Sequence, residues 1–169
     1  MIPECLAHLP THGSLPVPYF TGQTKDGKWD FRTHNPQRHD LAMRYRLCAI
    51  CGKYLGEGPY VFVFGPLSLG PLETFMPPQH EECARVALAI CPFLFNENHV
   101  RSDRDGGVEL CPAEAVPPKP DRIALVWCES YRYWKGPSGI LYATALGPLR
   151  AEWYAYVNGK LTIYEEAAQ

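Results

Sequence analysis

Hydrophobic and polar positions change their spacing several times along this chain, and each change marks an element. Tyr60-Val61-Phe62-Val63-Phe64 is β-branched and aromatic throughout, with Gly-Pro on both sides, which predicts a strand. A second strand is expected near Leu72 to Met76, after the turn-rich Gly65 to Pro71. Two apolar runs, Ile123 to Cys128 and Ile140 to Ala145, have the composition of buried strands. Trp153 to Val157 and Lys160 to Tyr164 flank Asn158-Gly159, a two-residue turn that predicts a hairpin. The C-terminal third therefore reads as a small antiparallel sheet.

Helical spacing occurs twice. Asn35-Pro36 supplies a cap and a first-turn proline, so a helix is expected from Pro36 to Tyr45 or Arg46. It carries Leu41 and Tyr45 on one face and His39 and Met43 on a neighbouring one. A second helix is expected from His80 to about Cys91, after Pro77-Pro78 and interrupted by Pro92, with Val86, Ala87, Leu88 and Ile90 on or near its core side. Elsewhere the chain is irregular. Pro16 to Phe20 reads as a short edge strand, Lys25 to Lys28 as a turn and Trp29 to Arg32 as a brief extended piece. The expected organisation is one α+β domain over 1–169. It comprises a loop-rich segment with one helix (1–45), a compact unit (46–95), a polar loop (96–121) and the antiparallel sheet (122–169).

Composition narrows the class. Hydrophobic residues at 46% and charged residues at 20% are globular values and exclude a disordered or fibrous chain. The net charge of -2 argues against a surface that grips nucleic acid everywhere. The longest apolar stretch, Val86 to Leu94, contains Pro92 and is too short for a bilayer span, and the N-terminus lacks a signal pattern. A soluble, cytoplasmic protein is expected. In a reducing compartment, seven cysteines point to metal or buried thiols rather than disulfides.

The cysteine spacing gives the sharpest chemistry. Cys48-x2-Cys51, then His80-x2-Cys83, has metal-ligand spacing at both ends. Gly52 after the second cysteine suits a tight knuckle that needs positive φ. His80 and Cys83 fall on the first turn of the expected helix and share a face. Three thiolates and a neutral imidazole around Zn²⁺ carry a net -1, which a helix N-terminus favours. Knuckle, β-hairpin, then a helix donating the last two ligands is the order of a treble-clef zinc finger, so one structural Zn²⁺ is expected. A redox CxxC would instead open a helix after a strand. Cys91 lies about 12 Å along the helix from Cys83, too far to share the ion, and reads as a small buried apolar residue. Cys111 and Cys128 have no close Cys or His companion. Cys5, His8 and His12 form a C-x2-H-x3-H cluster that leaves a second metal site open, although a terminal segment is the simpler reading.

The chain resembles small uncharacterised zinc-finger-like proteins of actinobacteria and their bacteriophages. The resemblance rests on Pro16 to Phe20, Asp30-Phe31-Arg32, Arg46 to Gly52, Pro77 to Ala84 and Cys91 to Leu94, with looser matches over Arg122 to Trp134 and Glu152 to Ala155. It covers about two thirds of the chain. It implies zinc and a viral origin, and no activity.

Three functions compete. The first is a non-enzymatic, zinc-stabilised binding protein. Its four protein ligands leave no open zinc position for hydrolysis, and in a phage setting its partner is a host protein. The second is nucleic-acid binding. Between Gly22 and Lys53 seven basic residues face three acidic ones, a balance of +4 that leaves -6 for the rest, with Trp29, Phe31 and Tyr45 interleaved. Arg38, Arg44, Arg46 and Lys53 are the candidate phosphate contacts. The third, a treble-clef nuclease, is disfavoured because His34 and His39 precede the knuckle. The first reading is preferred, with Trp153, Tyr154 or Tyr156 as exposed anchors for a protein partner.

Overall fold

Alternation within two central strands organises the molecule. The computed structural model describes residues 2–95, 97 and 121–164. β5 (Tyr60–Phe64) pairs antiparallel with β7 (Arg122–Lys135), with Phe62 opposite Val126. β7 then pairs along its length with β8 (Leu141–Val157). β6 (Glu73–Thr74) lines one half of β8 and β9 (Lys160–Tyr164) the other, which completes a five-stranded antiparallel sheet.

Both faces of the β5–β7 pair are covered. Tyr60, Phe62, Phe64, Ala124, Val126 and Cys128 point to one face, where Met43 packs. Val61, Ile123, Leu125 and Trp127 point to the other, beneath Ala84 and Leu88. Met43 belongs to α1 (Pro36–Tyr45), while Ala84 and Leu88 belong to α3 (Glu81–Ile90). A strand with helices on both sides reads as a continuous apolar run, which is why 123–128 lacks alternation.

Several elements differ from expectation. The 60–64 and 72–76 segments do not form a hairpin: β5 pairs with β7, and the short β6 pairs with β8. What returns to β5 is Gln79, bridged antiparallel to Val61 just before α3. The segments 140–145 and 153–157 are parts of one strand, β8, which passes through a register shift at Trp127/Cys128 of its partner. Gly147 sits beside that shift at φ +63°, and a Cβ there would lie 2.6 Å from Glu129 Oε2. β7 continues to Lys135 because Tyr131 to Lys135 pair in register with Ala145 to Leu141 of β8.

In the N-terminal part, Pro16 to Phe20 contributes only its first residue to a strand. β1 (Thr11–His12) pairs with β2 (Leu15–Pro16), and β3 (Thr21–Gln23) with β4 (Trp29–His34). α1 begins as expected: Asn35 Oδ1 accepts from the Arg38 amide, and the helix ends on Arg46 in the left-handed region. Its buried face is His39, Ala42 and Met43, whereas Leu41 and Tyr45 are exposed. Pro92 ends α3 and opens a further short helix, α4 (Pro92–Phe95), after the four-residue α2 (Pro66–Leu69). Most of the expected loop 96–121, with Cys111, lies outside the described residues. No helix among the described residues is long and apolar enough to cross a membrane.

Candidate metal centre

The knuckle follows directly from the end of α1. Cys48 N–H donates to Lys53 O at 2.8 Å, and Gly52 N–H donates to Cys48 O at 2.8 Å. This fold-back turns both thiols the same way. Gly52 has φ +73°, and a Cβ there would lie 2.6 Å from the Tyr19 ring, so the position requires glycine twice over. The N-terminal segment braces the loop from outside, with Tyr19 and Phe20 amides donating to Ile50 O and Ala49 O.

The other two donors arrive on α3. His80 is its N-cap, so the helix begins at Glu81, one residue later than expected, and Cys83 lies in its first turn. Ala49 N–H donates to Pro78 O at 3.1 Å, which ties the knuckle to the segment entering the helix. The donor atoms of Cys48, Cys51, His80 and Cys83 all lie within 4.8 Å of one another. Sulfurs at about 2.3 Å from a tetrahedral zinc stand about 3.8 Å apart, so this spacing suits one ion. His80 Nδ1 is 3.3 Å from Cys51 Sγ. His80 Nε2 lies 3.2 Å from Tyr54 O, to which it donates, leaving the Nδ1 lone pair free for an ion held among the sulfurs. The three cysteines are buried.

Electrostatics favour a cation. Hydrogen bonds from the Cys51 and Cys83 thiols and the His80 amide hold Cys48 far below its ordinary value as a thiolate. The same contact with Cys48, then with Cys51, drives Cys83 strongly upward. Three sulfurs this close do not ionise together unless positive charge sits among them. A dication there would supply it, and the N-terminus of α3 would accommodate the remaining -1. The donor set is soft and borderline, as zinc prefers.

The C-x2-H-x3-H cluster does not converge. Cys5, half-buried on the 3-10 turn Glu4–Leu6, packs against the small cluster that contains the three cysteines of the tetrad. Burial first, then Glu82, raises its pKa. His8 Nε2 bonds to Cys51 O at 2.9 Å, while the His12 ring packs edge-on against Phe31. Among the described residues the tetrad alone groups three or more such donors. Cys91 is the half-buried C-cap of α3, and Cys128 is buried in the sheet core, its thiol pushed up to about 11 by desolvation. Val86 and Ala87 pack toward the tetrad rather than the sheet.

The basic candidates are engaged elsewhere. Arg38 donates to Tyr19 O at 3.0 Å and lies over the Tyr19 and Trp29 rings. Arg44 pairs with Asp40 at 2.7 Å, and Arg46 with Glu57 at 2.7 Å. Lys53 is exposed. His34 and His39 pack on one another and on Phe75, with ring centroids 5.3 Å apart. The expected aromatic anchors are not free either. Trp153 packs on the sheet core beneath the Arg122 guanidinium, Tyr154 OH joins Arg85 and Glu152, and Tyr156 OH donates to Leu94 O.

Sequence spacing does not show the braces around the tetrad. Tyr19 over Gly52, His8 on Cys51 and the Tyr54 carbonyl on His80 are contacts of 26 to 43 residues' separation without a motif. Comparison with protein-family models, with curated proteins and with solved structures gives no match for this chain. The resemblance to actinobacterial and phage proteins therefore rests on the sequence motifs alone.

Proposed function

We propose that the chain is a non-enzymatic binding protein held together by one structural zinc ion, phage-encoded and acting on a protein of the host cytoplasm. The observation that carries the zinc reading is the closure of four protein donors on one point from two elements, the knuckle and the start of α3. Four protein ligands complete a zinc tetrahedron and leave no position for a substrate or an activated water. Three reduced thiols are also what a reducing compartment preserves.

The order of elements supports a treble-clef reading of this unit, with the expected hairpin absent. Knuckle, strand and ligand-bearing helix follow in order, and the antiparallel Val61–Gln79 bridge does the work of the second strand. The phage setting and the host partner are supported by the sequence resemblance. Preference for a protein partner over nucleic acid is supported by the commitment of Arg38, Arg44 and Arg46 to intramolecular partners.

The two partner classes separate in a titration against duplex DNA at physiological salt. We expect weak or no binding, unchanged when Arg38, Arg44, Arg46 and Lys53 are replaced by Glu. Phosphate-driven binding would weaken steeply with salt. Micromolar or tighter binding at that salt, abolished by the charge reversal, would overturn the protein-binding reading.

A further inference from the structure

A cavity of about 350 Å³ opens between the C-terminal end of α1 and the middle of β7. Its size is that of the smaller ligand pockets of proteins, roughly 300 Å³ and upward. Three tyrosines, Tyr60, Tyr131 and Tyr133, line it. Four charged side chains line it as well, and three of them already have partners. Arg44 pairs with Asp40 and Arg46 with Glu57, each at 2.7 Å. The fourth, Glu129, is exposed, and its carboxylate has no ion pair or hydrogen bond among the described residues. An irregularity of the sheet places it. The register of β7 against β8 shifts at Trp127/Cys128, and Cys128 and Tyr131, an odd number of residues apart, both pack on the core around Met43. Strand alternation lapses between them, where Glu129 stands. The Glu129 side chain lies against Gly147, where a Cβ would come within 2.6 Å of Oε2 and 3.1 Å of the Glu129 Cβ. Glycine at φ +63° leaves that room. Bulges beside sites re-aim a side chain in the same way.

Three features agree on the sign of a ligand here. With Asp40, three carboxylates stand against two guanidinium groups, and the unpaired charge is negative. The C-terminal end of α1 presents the negative end of its dipole. Tyrosine rings attract cations to their faces, and two of these rings already hold one: Arg44 lies 5.6 Å from the Tyr133 centroid and Arg46 5.9 Å from that of Tyr60. We infer that the cavity is the binding site for an arginine side chain of the protein partner, with Glu129 as its counter-ion. The bearer of that arginine rests on the protein-binding reading above, whereas the preference of the site for a guanidinium does not. A guanidinium offers two parallel N–H groups to one carboxylate and a flat face to a ring, which an ammonium lacks. Phosphate is disfavoured, because any spare donor of Arg44 or Arg46 shares the cavity wall with Glu57 and Glu129.

The test is an NMR titration of the full-length protein at low salt with a Gly-Arg-Gly peptide blocked at both ends, and with its lysine and citrulline counterparts. We expect saturable shifts of the Glu129, Ser130 and Gly147 amides with the arginine peptide and several-fold weaker binding of the lysine peptide. Citrulline, which keeps the shape without the charge, should not bind. Glu129→Gln should melt with the wild type, because it breaks no contact, and lose about tenfold or more in affinity for the arginine peptide. Gly147→Ala keeps the charge but displaces the carboxylate, and should weaken binding too. Equal binding of the arginine and citrulline peptides, no saturable shift at millimolar peptide, affinity unchanged in Glu129→Gln, or larger shifts of the same amides with inorganic phosphate would overturn the site. Free arginine bound more tightly than the blocked peptide would overturn its assignment to a protein partner. Tight duplex-DNA binding in the titration above, with the arginine peptide still held through Glu129, would defeat the protein-binding reading and leave the guanidinium site standing.

Discussion

His80 occupies the N-cap of α3, where its backbone N–H reaches Cys48 Sγ at 3.4 Å and its ring faces Cys51. The ring's other nitrogen is taken by Tyr54 O, so one residue joins the knuckle, the loop after it and the helix. Gly52 is the matching fixed point on the knuckle. Gly52→Ala places a methyl group in the left-handed region and against Tyr19, and we expect a loss of about 1–3 kcal/mol in urea unfolding. A second residue-scale prediction concerns acid. Burial, and secondarily His39, lowers the His34 pKa; burial also lowers that of His39, opposed by its bond to Phe75 O and by Asp40. Above the ordinary value of 6.5 both states are neutral and stability is complete. As pH falls below it, the unfolded chain takes up protons first, so stability declines toward the depressed native values. Urea midpoints at pH 7.5 and 5.5 should show this decline, and His34→Phe should show a smaller one. Equal declines in both proteins would assign the acid sensitivity elsewhere.

At the scale of elements, α3 is tied to the sheet by polar contacts as well as by Ala84 and Leu88. Glu81 in its first turn accepts from Trp127 Nε1 at 2.9 Å and pairs with Arg85 and Arg150. The Arg150 guanidinium lies 3.9 Å from the centre of the Trp127 ring, and Arg85 continues to Glu152. Glu81→Ala leaves the indole N–H of a buried tryptophan without its acceptor. We expect a cost of about 1 kcal/mol in thermal unfolding, with Glu81→Gln retaining part of the bond and losing less. None of this is visible in the sequence, because Glu81, Trp127 and Arg150 meet only when β7 and β8 lie beneath α3. The elements themselves were more legible. Asn35-Pro36 fixed the start of α1 and Asn158-Gly159 the β8–β9 turn through local backbone chemistry. The expected 60–76 hairpin failed because pairing is decided by competition. β7 offers Tyr60–Phe64 five apolar partners in register, whereas Glu73–Thr74 offers two polar residues.

For the molecule as a whole, the sheet carries an apolar core on each face, and the Cys/His tetrad lies in a further, smaller one. Leu6, Ile50, Cys48, Cys51 and Cys83 form a small separate cluster whose other apolar members, among them Ile2, Leu9, Phe20, Leu55 and Val86, are only partly buried. An ion there would replace the hydrophobic area that the cluster lacks, since structural zinc contributes roughly 10 kcal/mol or more in small units. The ligand set was legible because paired ligands are close in sequence and the chemistry restricts their identity. The segment that shields it, from Ile2 to Phe20, was not, because its contacts depend on the path of the Pro-rich chain around the knuckle. The most direct test of this account is metal content measured together with thermal unfolding, on protein as purified and after exhaustive chelation. We predict one zinc per chain, a large fall in melting temperature on removal, recovery on adding zinc back, and neither zinc nor recovery in Cys51→Ser. Metal-free protein, wild-type or Cys51→Ser, that melts at the same temperature as the untreated chain would contradict it.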